Sequence, residues 1–265
     1  MARIGKAVPA YRKVEKGFKL VANCQLLAAN CSRMNIALFG GTFDPVHRGH
    51  LNVARAAAKR FRLREIWFVP ADIPPHKQKT PITSYFHRYS MVTLALADEH
   101  DFLPSLLEAP EPEAHVEPRP SYSIDTVRKV KAGLRRGDRL FFLIGIDAFR
   151  DIAKWYKADE LLRECEFIIA ARPRYSLDEV VESLPKELRP PLKELRTAPL
   201  EEVLRQRGVV LHPLPETHED VSATQIRAAM RNGKGLKELV PDAVAEYIRK
   251  EKLYRTPRPT AKGRR

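Results

Sequence analysis

An α/β fold is predicted, with an open, mostly parallel sheet and helices on both of its faces. Two observations carry that expectation. After Met34, short apolar runs alternate with amphipathic segments of helical length, the signature of successive βαβ units. The runs are rich in Ile, Val, Phe and Leu and show little polar alternation, as strands covered on both faces must. A chain of 265 residues is long enough to bury a full core around such a sheet.

The first strand falls at 35–39 (NIALF) and ends on two glycines. A helix follows at 49–61, then a strand at 65–69 (EIWFV) and a helix at 84–98. The third strand is placed at 102–107, and a Pro-rich acidic stretch, 108–120, reads as a loop before a helix at 123–135. The run LFFLI gives a strand at 140–144, followed by a helix at 158–164 and a strand at 166–171 (EFIIAA). Residues 176–207 contain Pro190-Pro191 between two charged helical patterns, so a helical insertion with a pair of helices is expected there. A last strand at 208–212 (GVVLH) and helices at 222–231 and 241–251 complete the domain, 34–255. Residues 1–33 are expected to be an appendage outside the fold, and 256–265 a disordered basic tail.

Charge and cysteine content narrow the class. The formal net charge is +14, but residues 1–33 and 249–265 account for +6 and +7 of it, leaving +1 for the body. Basic ends of that kind suit solvated tails, and no specific nucleic-acid partner is expected. Three scattered cysteines make neither a disulfide framework nor a CxxC metal pattern, which suits a cytoplasmic protein. No stretch approaches the ~20 apolar residues of a membrane span, so no membrane partner is expected.

The string GGTFDPVHRGH, 40–50, concentrates unusual residues at the carboxyl end of the first strand, where open parallel sheets place their ligands. Gly40 and Gly41 permit unusual backbone angles and a close approach of an anion to the main chain. The following helix aims free N–H groups and its positive dipole end at the same spot. His47 and His50, three apart, present both rings to one side. The arrangement suits phosphates held by two imidazole donors; a zinc site would lack a third ligand at clear spacing. Near the other end, VSATQIRAAM (221–230) begins with Ser222 and Gln225 at capping-box spacing, which fixes a second helix start. Thr224 lies in its first turn, and Arg227 can reach back to a bound phosphate with a bidentate fork.

These two strings resemble the HxGH and ISSTxIR signatures of a nucleotidyltransferase superfamily, with Ala223 where a serine is frequent. The resemblance implies a Rossmann-like fold and ATP binding at Gly40, Gly41, Thr42, His47, His50, Ser222, Thr224 and Arg227. Within that superfamily the segments VPADIPPHKQ, HRYSMVTLAL, PSYSIDTV, LIGIDAFRDIAKWYKADELL, AARPRY and VPDAVAEYIRKEKLY are similar, in this order, to the bacterial nicotinate-nucleotide adenylyltransferases. The similarity spans about 34–254, with Ser123 and Ile146 standing where threonine and alanine are usual. It implies that Lys77 contacts the phosphate of the mononucleotide. It further implies that Tyr122 and Ser123 recognise the pyridine carboxylate and that Trp155, with Tyr156 beside it, is a platform for the pyridine ring. Asp147 would accept ribose hydroxyls, and Arg172 would stand at the ligand edge of its strand.

The implied reaction joins the 5′-phosphate of nicotinate mononucleotide to the α-phosphorus of ATP, releasing pyrophosphate and giving nicotinate adenine dinucleotide for NAD biosynthesis. A phosphate monoester has its second pKa near ~6 and is mostly dianionic at neutral pH, so no general base is required. Catalysis by positioning and electrostatics is then expected, with His47, His50 and Arg227 as catalytic groups and no covalent intermediate. Mg²⁺ is expected with ATP, held by phosphates and water, with Asp44 near enough to bond metal-bound water. The alternatives are a nicotinamide-mononucleotide or pantetheine-phosphate adenylyltransferase, or a non-catalytic nucleotide- or RNA-binding module. The sequence leaves a homo-oligomer open.

Overall fold

The computed structural model describes residues 33–74, 81–110, 120–170, 177–196, 198–215 and 221–255. Residues 1–33 and 34–265 form separate units, and the fold described here is that of the second. The expected appendage, the basic tail and the middle of the 108–120 loop lie outside the described residues.

Six strands form one sheet: β1 (Asn35–Gly41), β2 (Glu65–Pro70), β3 (Phe102–Pro104), β4 (Arg139–Gly145), β5 (Glu166–Ala170) and β6 (Leu211–Leu214). Their order is β3-β2-β1-β4-β5-β6 and every pairing is parallel. The direction of winding reverses between β1 and β4, so their carboxyl ends flank the crevice where such sheets bind ligands. Ten α-helices lie among the described residues.

Period-two alternation along the strands sends neighbouring residues to opposite faces. On one face Ala37, Phe39, Phe68, Phe141 and Leu143 pack against α1 (Arg48–Phe61), α2 (Tyr85–Ala95), α9 (Ala223–Arg231) and α10 (Asp242–Lys250). On the other, Ile36, Leu38, Phe142, Ile144 and Phe167 pack against α3 (Ser123–Lys131), α4 (Ile146–Phe149) and α5 (Ala158–Glu164). The helices of the first face thus carry both signature motifs.

Several boundaries move. The last strand is Leu211–Leu214 rather than 208–212, because Gly208 (φ +75°) and Val209 turn back to close α8 (Leu200–Gln206), with the Val209 N–H on the Leu204 carbonyl. Pro213, which has no N–H, is accommodated because β6 is an edge strand. The insertion holds α6 (Leu177–Ser183), α7 (Leu192–Leu195) and α8 rather than a pair of helices. Val180, Leu184, Leu188 and Leu204 from it are buried in the second core.

Candidate active site

The first motif occupies the turn from β1 into α1. The two glycines do not adopt positive φ; they extend β1 to Gly41, and the left-handed conformation falls on Phe43 (φ 49°). What demands glycine is space. A Cβ on Gly40 would lie 3.2 Å from the Phe142 ring, and one on Gly41 would lie 3.0 Å from the Phe43 ring. Phe43 is buried with Phe39 and Phe68, ring centroids 5.6 Å from each, and its edge meets His50 at 5.0 Å.

His47 is the N-cap of α1, and its ring lies 3.7 Å from that of His50. The His47 N–H donates to Nδ1 of His50 at 3.2 Å, which places the neutral-ring proton of His50 on Nε2. In return the His50 N–H finds the His47 carbonyl at 3.0 Å. The contact from the His50 N–H to the His47 ring has the capping-box layout but not the geometry of a bond, and the buried Nδ1 of His47 has no hydrogen-bond partner among the described residues. The His47 side chain is only 8 % exposed, and burial lowers its pKa from 6.5 to about 4. It is therefore a neutral imidazole at physiological pH.

The second motif arrives from α9. Ser222 Oγ accepts from the Gln225 N–H (3.2 Å) while Gln225 Oε1 accepts from the Ser222 N–H (2.9 Å), a complete capping box. Thr224 is exposed in the first turn, and its hydroxyl accepts from Nη2 of Arg227 at 3.2 Å. Nη1 of the same arginine donates to the Asp44 carbonyl at 2.7 Å, in the loop that carries His47. The two motifs, far apart in the chain, are thus hydrogen-bonded to each other.

Asp44 is the hub of this loop. The side chain is 4 % exposed. Oδ2 accepts from the Thr83 N–H (3.2 Å) and Oδ1 from the Tyr254 hydroxyl (2.6 Å). Each oxygen of this buried carboxylate therefore carries a hydrogen bond that ties the loop to a distant segment. Burial, reinforced by the Asp44 charge, pushes the Tyr254 hydroxyl far up and keeps it a donor. Among the described residues no group of three or more His, Cys, Asp or Glu could hold a metal ion.

The remaining candidates gather on the other side of the crevice. Tyr122 is the N-cap of α3 and Ser123 its first residue, so the free N–H groups of that turn are presented here. The Tyr122 ring stacks on Tyr156 with centroids 4.4 Å apart, and Tyr156 is 49 % exposed. Trp155 is half-buried against the second core and meets Phe142 edge-on at 6.1 Å, and Tyr156 beside it is the more exposed of the two. Asp147, in α4 just beyond β4, is exposed and pairs with Arg150 at 3.3 Å. Lys77 and Arg172 lie outside the described residues.

Three residues of the site went unassigned in the sequence. Tyr254 and Thr83 hold Asp44, and Arg88, 0 % exposed, bonds the carbonyls of Thr42, Asp72 and Thr83. The available signal for the last was a lone arginine among the apolar and aromatic positions of α2.

Comparison with known proteins follows this geometry. The cytidylyltransferase-like family matches residues 38–229. A protein of Geobacter sulfurreducens described as "probable nicotinate-nucleotide adenylyltransferase" is 35 % identical over 222 residues, covering 83 % of this chain and 98 % of its own. One of the same description from Pseudomonas paraeruginosa is 38 % identical over 222 residues, covering 84 % and 98 %. Among solved structures, the Plasmodium falciparum nicotinic acid mononucleotide adenylyltransferase complexed with NaAD superposes with a TM-score of 0.60 at 20 % identity, covering 84 % of this chain and 98 % of that one. At that identity the likeness speaks for the fold. Among the described residues no helix is long and apolar enough to cross a membrane.

Proposed function

The chain belongs to the cytidylyltransferase-like family and, within it, to the nicotinate-nucleotide adenylyltransferases, and from that premise we propose that it transfers AMP from ATP to nicotinate mononucleotide. The products are nicotinate adenine dinucleotide and pyrophosphate, and the setting is NAD biosynthesis in the cytoplasm.

The observation that carries the reading is the bond from Arg227 to the Asp44 carbonyl. It sets a guanidinium, an imidazole pair and two helix N-termini around one crevice, and each of these attracts phosphate oxygen. The difficulty of the reaction is charge: an anionic phosphate must approach a triphosphate, and further charge develops toward the leaving pyrophosphate. His50 donates from Nε2 to the phosphates, and the neutral His47 beside it accepts or donates without adding a second positive charge. Arg227 stabilises the departing pyrophosphate, and the N–H groups opening α1 and α9 supply fixed dipoles. The phosphate charge would be further offset by Mg²⁺ carried with ATP, and Asp44 holds the loop that bears His47 through Thr83 and Tyr254. On the acceptor side, Tyr122, Ser123, Trp155 and Tyr156 receive the pyridine ring and its carboxylate.

The direct test is pyrophosphate release from ATP with nicotinate mononucleotide, nicotinamide mononucleotide or phosphopantetheine as acceptor. Turnover with the first above the other two is expected. In the same assay His50→Ala should lose ~10²-fold in kcat with KM little changed. Preference for another acceptor would reassign the substrate, and no release with any of the three would leave a binding module.

A further inference from the structure

A buried arginine ties the two sides of the crevice together. Arg88 sits on α2 among Tyr85, Tyr89, Met91 and Val92, fully enclosed. Its fork is spent on main chain: Nε donates to the Thr83 carbonyl at 2.8 Å, Nη1 to that of Thr42 at 2.9 Å and Nη2 to that of Asp72 at 3.2 Å. These carbonyls belong to three different segments. Thr42 follows Gly41 at the end of β1, on the ATP side. Asp72 lies just past β2, and the next carbonyl, of Ile73, accepts from the Ser121 N–H (3.2 Å), immediately before Tyr122 and Ser123 on the acceptor side. Thr83 precedes α2 and donates its own N–H to Asp44.

Main-chain pairing joins the β1 and β2 ends only as far as the Ala71 N–H on the Gly41 carbonyl, 2.9 Å. One residue further on, the Arg88 guanidinium spans the gap. Burying a guanidinium costs more than burying an apolar side chain of its size, so bare stability does not account for it. A lysine could not replace it, because one ammonium cannot serve three diverging carbonyls in fixed directions.

We infer that Arg88 is a positioning residue for adenylyl transfer, fixing the separation of the ATP loop at Thr42 from the acceptor loop at Asp72 and Ser121. Displacement at phosphorus depends steeply on that separation, and a misplacement of about 1 Å can cost ~10²-fold. The inference rests on the proposed reaction and touches neither substrate itself.

Arg88→Lys and the volume-matched Arg88→Met test it, read by kcat, the KM of each substrate, melting temperature and the affinity for a non-hydrolysable ATP analogue alone. Arg88→Lys is expected to lose roughly 10²-fold in kcat while analogue affinity changes less than about threefold and melting stays cooperative. An unchanged kcat overturns the inference, as does a fall in analogue affinity in step with kcat. Should Arg88→Lys not fold, Arg88→Met decides by the same readouts. Failure of both to fold makes the arginine a requirement of the fold and also overturns it. The unmodified chain is assayed first: no pyrophosphate release there refutes the reaction rather than the arginine's part in it.

Discussion

The guanidinium of Arg227 donates to the carbonyl of Asp44 at 2.7 Å, joining residues 183 apart in sequence. Its second branch holds the Thr224 hydroxyl at 3.2 Å, so the fork is already oriented before a nucleotide enters. Arg227→Lys keeps the charge but cannot hold both partners and a phosphate. Steady-state assays should show ~10²-fold lower kcat with a smaller change in the KM of ATP. A variant within about threefold of the parent would remove the arginine from the catalytic set.

His47 gives a pH prediction with a definite sign. Burial lowers its folded pKa to about 4 from 6.5. Between those values the unfolded chain binds a proton that the folded chain refuses, so stability falls as pH drops through 6.5 toward 4. The full effect is at most about 3 kcal/mol. Urea denaturation at pH 7, 5.5 and 4.5 should show a shallower loss for His47→Gln than for the parent. Parallel profiles would mean that His47 titrates normally in the fold.

Tyr156 stacks on Tyr122 and leaves half its surface to solvent. Aromatic stacking on a ring ligand is worth ~1–3 kcal/mol. Tyr156→Ala should therefore raise the KM of the mononucleotide by roughly tenfold or more and leave that of ATP alone. A rise in both would place the tyrosine outside the acceptor pocket.

Gly41→Ala sets a methyl 3.0 Å from the Phe43 ring, and Phe43 in turn meets His50 at 5.0 Å. Phe43 is already in a left-handed backbone conformation and has little room to yield. A stability loss of ~1–3 kcal/mol is expected, together with a fall in kcat as His50 shifts. Wild-type melting and turnover would show that Phe43 moves without cost.

Much of this was legible in the residues. The apolar runs placed all six strands, because a strand buried on both faces leaves a continuous signal. The spacing of Ser222 and Gln225 placed the α9 cap to the residue. What escaped was set by distance through space rather than along the chain. Gly40 and Gly41 read as conformational freedom, whereas the constraint is the rings of Phe142 and Phe43 above them. Asp44 read as a carboxylate able to bond metal-bound water, and nothing local reveals that Tyr254 arrives from 210 residues away to bond it as well. Trp155 read as the ring platform with Tyr156 beside it, and what the residues did not reveal is the edge-on contact of Trp155 with Phe142 and the pairing of Tyr156 with Tyr122. The short α4, directly after β4, is too brief to leave a periodic pattern.

The sheet also acts as a partition. The helices that carry His50 and Arg227 pack into one hydrophobic layer, and the segments that carry Tyr122 and Trp155 pack against the other. On the proposed reaction, substitutions at Tyr122 or Trp155 change the acceptor side without repacking the layer that holds His50 and Arg227. A lineage built on this plan can diversify its choice of partner while its leaving-group machinery stays still.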